Sequence, residues 1–431
     1  MDNKFLKSAL ILIVGGFITK ILGFIIKVLY TRKIGVDGVS LYSLLIPSYS
    51  LIITIATLAL PVAISKLVAE KKYDDKKILS SAFILIMLLD LILIIGILAC
   101  KNIISISLLK EPRLKNLFIA IAITLPFISC SSILKGYFLG KQNMLPNTIS
   151  NVFEQILRII LIIFFLPFLF NKGIVWSVAG LILLNVFSES LSILIFLLFL
   201  PKSKKKIVFP ELGVCKNILS ISIPSVSSRL VGNIGFFFEP IILTNILLFK
   251  GFSNFYIVSE YGAYNAYAIA TLTLPAFFIG AISSALIPEI SRYYASYKFD
   301  FVKKRIMQAL LISFCIGLFF SLFILVFRND ILALLYKSTN GSEYIKILAP
   351  FFVLFYLEGP LNGALQAMDS ARVSFKISTF GVFLKLFSMT IFAFLGKGVL
   401  ALVYAEIINI VFVVLSSFYI TLKKITKYPC V

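Results

Sequence analysis

The chain has 431 residues, 60% of them hydrophobic and only 14% charged, against about 25% charged in a soluble globular domain. It contains no histidine, which excludes a His-containing metal site, a histidine general base and a Ser-His-Asp triad. Its formal charge of +22 comes from Lys and Arg in short stretches between apolar runs, the pattern of membrane-protein loops and not of a nucleic-acid-binding domain.

Apolar stretches such as Ala9–Ile26, Ala82–Ala99 and Ile156–Phe170 approach the roughly 20 helical residues needed to cross a hydrocarbon core. They are continuous rather than alternating, so a transmembrane barrel is excluded. The predicted fold is all-α and integral to the membrane, with about twelve spans. The first six lie near 5–30, 41–65, 79–100, 116–139, 147–170 and 174–200. The second six lie near 217–249, 262–288, 306–327, 345–368, 373–395 and 398–422. The N-terminal Met-Asp-Asn-Lys leads straight into the first span without a small-residue cleavage site, as expected of a retained helix. Residues 1–200 therefore read as one six-helix lobe, 201–216 as a basic cytoplasmic linker, and 217–431 as a second lobe. The five cysteines are scattered singly, with no metal-ligand spacing, and no cofactor is expected. Interhelical loops of at most about 17 residues leave no room for the extramembrane catalytic part of a membrane glycosyltransferase, so the chain does not read as an enzyme.

With the N-terminus inside, Lys and Arg on the cytoplasmic side, among them Lys71, Lys72, Lys76, Lys77, Lys204, Arg292 and Lys423, outnumber those opposite. Both termini are then cytoplasmic. At an offset of 227 residues Pro61 falls on Pro288, Leu134 on Leu361, Gly136 on Gly363 and Arg158 on Lys385. This suggests a parallel duplication, with a substrate path where the repeats meet.

A charge near the bilayer centre costs about 2.5–3.5 kcal/mol on insertion scales, so such residues usually face a polar interior. Lys20 and Lys27, two turns apart, share a face of the first helix and read as a wall that attracts anions. Asp90 stands alone in a very apolar third span. Glu154 and Arg158 have the spacing of a helical ion pair, with Asn147, Asn151 and Gln155 beside them. The seventh span carries Arg229, Asn233 and Glu239-Pro240, the eighth Tyr264 and Asn265, the tenth Glu358 and the eleventh Lys385. Lys66, Lys135 and Glu406 read as helix-end residues whose charges reach the interface.

Cations, aromatics and amides together suit an anionic, hydroxyl-bearing substrate such as a sugar linked to phosphate. Lys20, Lys27, Arg229, Asn233, Tyr264 and Asn265 are the candidate substrate contacts. Glu154, Arg158, Glu239, Glu358 and Lys385 are candidate gates or lobe contacts. Spacing alone leaves open a proton- or sodium-coupled path, with Asp90 or Glu239 as the carrier, for small amphipathic compounds.

The stretches Thr19-Lys-Ile-Leu-Gly-Phe24, Leu60-Pro-Val-Ala-Ile-Ser-Lys-Leu-Val-Ala-Glu70, Leu134-Lys-Gly-Tyr-Phe-Leu-Gly-Lys-Gln-Asn-Met144, Gly232-Asn-Ile-Gly-Phe-Phe-Phe-Glu-Pro240 and Ala349-Pro-Phe-Phe resemble the stage V sporulation protein B branch of the polysaccharide and lipid II flippases. That group is related to the multidrug and toxic-compound extrusion transporters. The resemblance implies two helical lobes around a cavity, alternating access, and transport of a lipid-linked oligosaccharide or peptidoglycan precursor in cell-wall or spore-cortex synthesis. It further implies a bacterial plasma-membrane monomer surrounded by lipid, driven by a coupling cation or the membrane potential. Lys20 occupies the place of the cation that lipid II flippases carry before Leu-Gly-Phe, and Lys27 lies within one residue of their second. The arginines of their second and eighth helices have no counterpart here, and neither do the two further helices of that group.

Overall fold

A computed structural model of the chain describes the backbone of residues 3–201 and 209–426. Lys202, Lys204, Lys205 and Lys206 of the expected linker, Lys427, and the side chains of Lys4 and Lys7 lie outside the described residues. Every regular element among the described residues is helical. The chain divides into two compact units, Met1–Phe237 and Phe238–Val431.

The first unit holds α1 (Asn3–Thr57), α2 (Leu60–Glu70), α3 (Asp75–Asn102), α4 (Lys115–Gly140), α5 (Met144–Phe164), the short α6 (Leu166–Phe170) and α7 (Ile174–Phe199). The helix α8 (Leu212–Phe249) carries the unit boundary within it. In α1 the helical path breaks at Gly35, where φ is 68°, a conformation glycine adopts without steric cost. The break separates the first two expected spans. A second turn at Leu58 and Ala59, both with positive φ, ends the helix. Pro61 then sits in the first turn of α2, where its missing N–H costs nothing.

The second unit continues with α9 (Asn254–Gly262), a π-helical turn over Ala263–Ile269, α10 (Ala270–Leu272), α11 (Ala276–Ala295), α12 (Phe299–Val326), α13 (Arg328–Tyr336), α14 (Ser342–Ala367), α15 (Ala371–Phe394) and α16 (Leu400–Thr426). The eighth expected span is thus two helical stretches, Asn254–Leu272 and Ala276–Ala295, bent by 52°. Pro275 explains the break, because it lacks an N–H and disfavours helical geometry at the residue before it.

Among the described residues ten helices are long and apolar enough to cross a membrane, or eleven when the bent pair is one span. The first of them, Val14–Glu70, contains two expected spans, which brings the number back to about twelve. The outer faces confirm the environment. On α3 Leu88, Leu91, Ile92 and Ile95 are more than half exposed, whereas Asp90 is 1% exposed. An apolar outside with a polar inside is stable only where hydrocarbon is the solvent, and the chain is a multi-pass membrane protein.

The repeat is visible in the elements. A shift of 227 residues carries the first residues of α4 and α5 onto those of α14 and α15, and the last residue of α7 onto that of α16. Helices α2, α3 and α7 pack against α4, as α11, α12 and α16 pack against α14. Asn147 Nδ2 donates to Lys135 O at 3.4 Å, and Ser374 Oγ donates to Asn362 Oδ1 at 2.8 Å; these two pairs are also 227 residues apart.

Close approach of α2 to α4 depends on a small-residue stripe. A Cβ on Gly136 would lie 2.8 Å from Pro61 Cα, and one on Gly140 2.7 Å from Ser65 O. This Gly-x-x-x-Gly spacing lets two membrane helices touch backbone to backbone. In the second unit Gly359 and Gly363 face Ser283 of α11 in the same way, with virtual Cβ contacts of 2.9 and 3.4 Å. Gly140→Leu is expected to destabilise the fold by about 1–3 kcal/mol or more, since backbone has to move to admit the side chain. A lower Tm of the detergent-solubilised protein would register it, and an unchanged Tm would show that α2 is not held there.

Candidate functional site

Each unit encloses its own set of buried charges. In the first, Glu154 of α5 receives Arg158 Nη2 at 3.0 Å and Lys135 Nζ of α4 at 3.4 Å. Lys135 Nζ also stands 3.8 Å from Glu189 Oε2 of α7. Arg158 Nη2 donates to Ser188 Oγ at 3.2 Å, Ser192 Oγ donates to Glu154 at 3.4 Å, and Ser150 is bonded to Ser192. Two cations against two carboxylates leave the group balanced, which is the condition for keeping charges away from water. Its hydrogen bonding is incomplete: Arg158 Nε and Glu189 Oε2 are buried without a hydrogen-bond partner among the described residues.

The second unit is built differently. Lys385 Nζ of α15 lies 2.6 Å from Glu239 Oε2 of α8 and 2.7 Å from Glu406 Oε2 of α16. Tyr261 Oη donates to Glu239 Oε1 at 3.3 Å. One cation thus faces two carboxylates. Nearby on the π-turn, Tyr264 Oη and Asn265 Nδ2 are buried without hydrogen-bond partners among the described residues, while the Tyr264 ring meets Tyr344 edge-on at 6.0 Å. Glu358 Oε1 accepts from Asn362 Nδ2 at 3.4 Å.

The helix-end reading of Lys135 and Glu406 is corrected by these contacts: both turn their charges to buried partners within their unit. Both residues stand a turn or more inside their helices, so a buried partner of opposite charge is nearer than the interface. Lys66 does behave as an exposed end residue, 3.9 Å from Glu70. Glu189 and Glu406 complete the two clusters and are the members that spacing within a single helix could not find. The available signal was charge balance, because Lys135 and Lys385 have no acid at i±3 or i±4 in their own helices and require one from a neighbour.

The remaining candidates are placed individually. Lys20 is exposed and Lys27 half-buried on α1, and neither has an ion pair or hydrogen bond among the described residues. Arg229 is exposed on α8 and equally unpaired there. Asn233 ties α8 to α1, with its Nδ2 2.5 Å from Thr54 Oγ1 and 3.5 Å from Ser50 O. Asp90 accepts Ser129 Oγ at 3.1 Å through Oδ1, while its Oδ2 is buried without a hydrogen-bond partner among the described residues.

The profile of the family described as Polysaccharide biosynthesis protein matches residues 5–294. The chain belongs to that family. A second profile, MatE, matches residues 240–391 of this family member. Stage V sporulation protein B of Bacillus subtilis (strain 168) is 34% identical over 397 residues, which cover 89% of this chain and 76% of that protein. Lipid II flippase MurJ of the same organism is 28% identical over 197 residues, 42% of this chain and 36% of its own. Among solved structures, a multidrug resistance MATE family transporter of the MOP superfamily superposes with a TM-score of 0.75 at 18% identity, covering 95% of each chain. A MOP superfamily transporter from Pyrococcus furiosus gives 0.64 at 16% identity over 98% of this chain and 95% of that one. These two place the fold of the family member among MATE-like transporters.

Proposed function

We propose that the protein is a transmembrane flippase of a lipid-linked oligosaccharide or peptidoglycan precursor, working by alternating access in cell-wall or spore-cortex synthesis. The observation that carries this reading is Lys27, a half-buried cation on a membrane helix with no ion-pair partner among the described residues. An unpaired charge at such a position is costly, and an anionic head group would complete it. Lys20 and Arg229 add two more cations, unpaired among the described residues, for phosphate oxygens. Asn233, Tyr264 and Asn265 supply amide and phenol groups for sugar hydroxyls. Glu154 with Arg158, Glu239 with Lys385, and Glu358 act as gates or lobe contacts, with no catalytic residue. The family profile and the sporulation and flippase relatives support this substrate class.

In the same proposal residues 1–200 and 217–431 are six-helix lobes joined by a basic linker at 201–216. Both termini are cytoplasmic, which a reporter fused after Val431 checks by its activity on that side only. The chain works as a monomer in the lipid bilayer.

The decisive experiment compares lipid-linked intermediates in cells with and without the protein. A flippase leaves its precursor accumulating on the cytoplasmic leaflet when it is removed, and an unchanged lipid-linked pool would overturn the proposal. A second reading, a cation-coupled exporter of small amphipathic compounds, is favoured by the unpartnered Asp90 Oδ2. Uptake of such compounds into proteoliposomes under an imposed ion gradient, with the lipid pool unaffected, would select it.

A further inference from the structure

The second unit contains a cavity of about 600 Å³ that belongs to neither charge cluster. It is walled by Tyr256, Glu260, Asn329, Thr339, Glu343 and Tyr344, drawn from α9, α13, the α13–α14 connection and the start of α14. By the order of spans these segments come to one face of the unit, the face opposite the C-terminal end of α16. The volume lies within the range of about 300–1,000 Å³ usual for ligand pockets.

Its walls are fixed in place. Tyr344 Oη donates to Glu260 Oε2 at 2.5 Å, and Ser342 Oγ donates to Asn329 Oδ1 at 2.5 Å. The Tyr256 ring stacks on Phe252, with centroids 5.4 Å apart, and the opposite bend at Gly398 approaches it so closely that a Cβ there would lie 3.0 Å from Tyr256 Oη. Gly341, at φ +85°, presses against the π-turn, and a Cβ there would lie 2.6 Å from Ala263 O. Tyr344, Glu260, Asn329 and Tyr256 are therefore each held by a neighbouring residue.

The charges of this rim distinguish it from the corresponding rim of the first unit. There Arg113 grips Glu111 through Nε and Nη2, at 2.8 and 2.9 Å, and stands 4.0 Å from Asp37. The residue 227 positions after Arg113 is Asn340. Neither Glu260 nor Glu343 has a cation within ion-pair distance among the described residues. The first unit neutralises its own rim acids, and the second leaves two carboxylates open.

We infer that this cavity is a saccharide-binding subsite, taking an uncharged sugar ring of the substrate's head group. With no cation in its wall it repels phosphate, and its carboxylates and side-chain amide exclude a hydrocarbon chain. Among the described residues no group of three metal-ligating side chains exists. Sugar hydroxyls donate to carboxylate and amide oxygens, while the apolar face of a sugar ring covers an aromatic one. Glu260, Glu343, Asn329 and Tyr256 offer these together. This inference rests on the lipid-linked glycan reading and adds a second place, apart from Asn233, Tyr264 and Asn265, where a sugar ring is recognised.

The test uses the full chain in lipid nanodiscs and saturation-transfer NMR with soluble glucose, N-acetylglucosamine and their β-1,4 disaccharides, which carry neither lipid nor phosphate. Transfer to at least one sugar is expected, falling five-fold or more in Glu343→Gln and Asn340→Arg. Both substitutions lie at the rim, and the second supplies the cation that the first unit carries. Tyr256→Ala should abolish transfer, with Tyr256→Phe restoring it as a control for folding. No transfer to any of the sugars, transfer indifferent to Asn340→Arg, or binding of a polyamine or divalent cation that no sugar displaces would overturn the subsite. The lipid-linked pool in cells decides the flippase reading separately, so loss of sugar contact with precursor accumulation intact would remove this inference alone.

Discussion

Lys385→Ala is expected to destabilise the second unit by about 3–5 kcal/mol, the penalty for leaving buried carboxylates without their cation. Lys385 is the only cation within ion-pair distance of Glu239 and Glu406 among the described residues, at 2.6 and 2.7 Å, and Glu239 is 2% exposed. Loss of folded protein from the membrane, or a marked fall in Tm after solubilisation, measures the effect. The same argument predicts the rescue. Lys385→Met combined with Glu239→Gln and Glu406→Gln removes all three charges at similar volume, and replacing a whole buried ionic group by neutral ones is often nearly neutral for stability. A triple variant as unstable as the single one would mean that packing around the Lys385 stem, and not charge, holds α8, α15 and α16 together.

The double variant Lys20→Ala and Lys27→Ala is expected to do the opposite: full membrane levels with no transport. Neither lysine has an ion pair or hydrogen bond among the described residues, so their removal strands no partner and should leave the stability within about 0.5 kcal/mol of the native value. Cells dependent on the protein should then behave like the deletion strain, with the lipid-linked precursor accumulating to the same level. Growth and precursor pools like wild type would take the anion-binding role away from α1. Lys27→Arg, which keeps the charge, should restore more activity than Lys27→Gln, which keeps most of the length.

Much of the fold is legible in the sequence because membrane insertion is written locally. Each span is a continuous apolar run, and the break at Gly35 falls between two of these runs, whereas Pro61 and Pro275 lie inside them. The limits show where neighbouring helices decide. The sequence reads as a single span over 262–288, because hydropathy records length and not direction, and a 52° bend leaves composition unchanged. The Arg158–Lys385 correspondence identified a cation in each half correctly. The acids that balance them differ, Glu154 and Glu189 in one unit, Glu239 and Glu406 in the other, since any helix packed alongside can supply a carboxylate. Spacing along one helix recovers Glu154–Arg158 and misses the rest. The rim cavity is hidden in the sequence for a related reason: Tyr256, Asn329 and Glu343 come from three separate helices, α9, α13 and α14, that only the fold brings together.

The two charged clusters are each closed within one compact unit, and that arrangement bears on the energetics of any working cycle. Lys135, Glu154, Arg158 and Glu189 set two cations against two carboxylates inside the first unit, and Lys385 holds its two carboxylates, one in excess of charge balance, inside the second. Among the described residues the ion pairs of each cluster lie within its own unit, so a rearrangement of the other unit would not tear them apart in a medium of low permittivity. Such a separation would impose a barrier of several kcal/mol at every turnover.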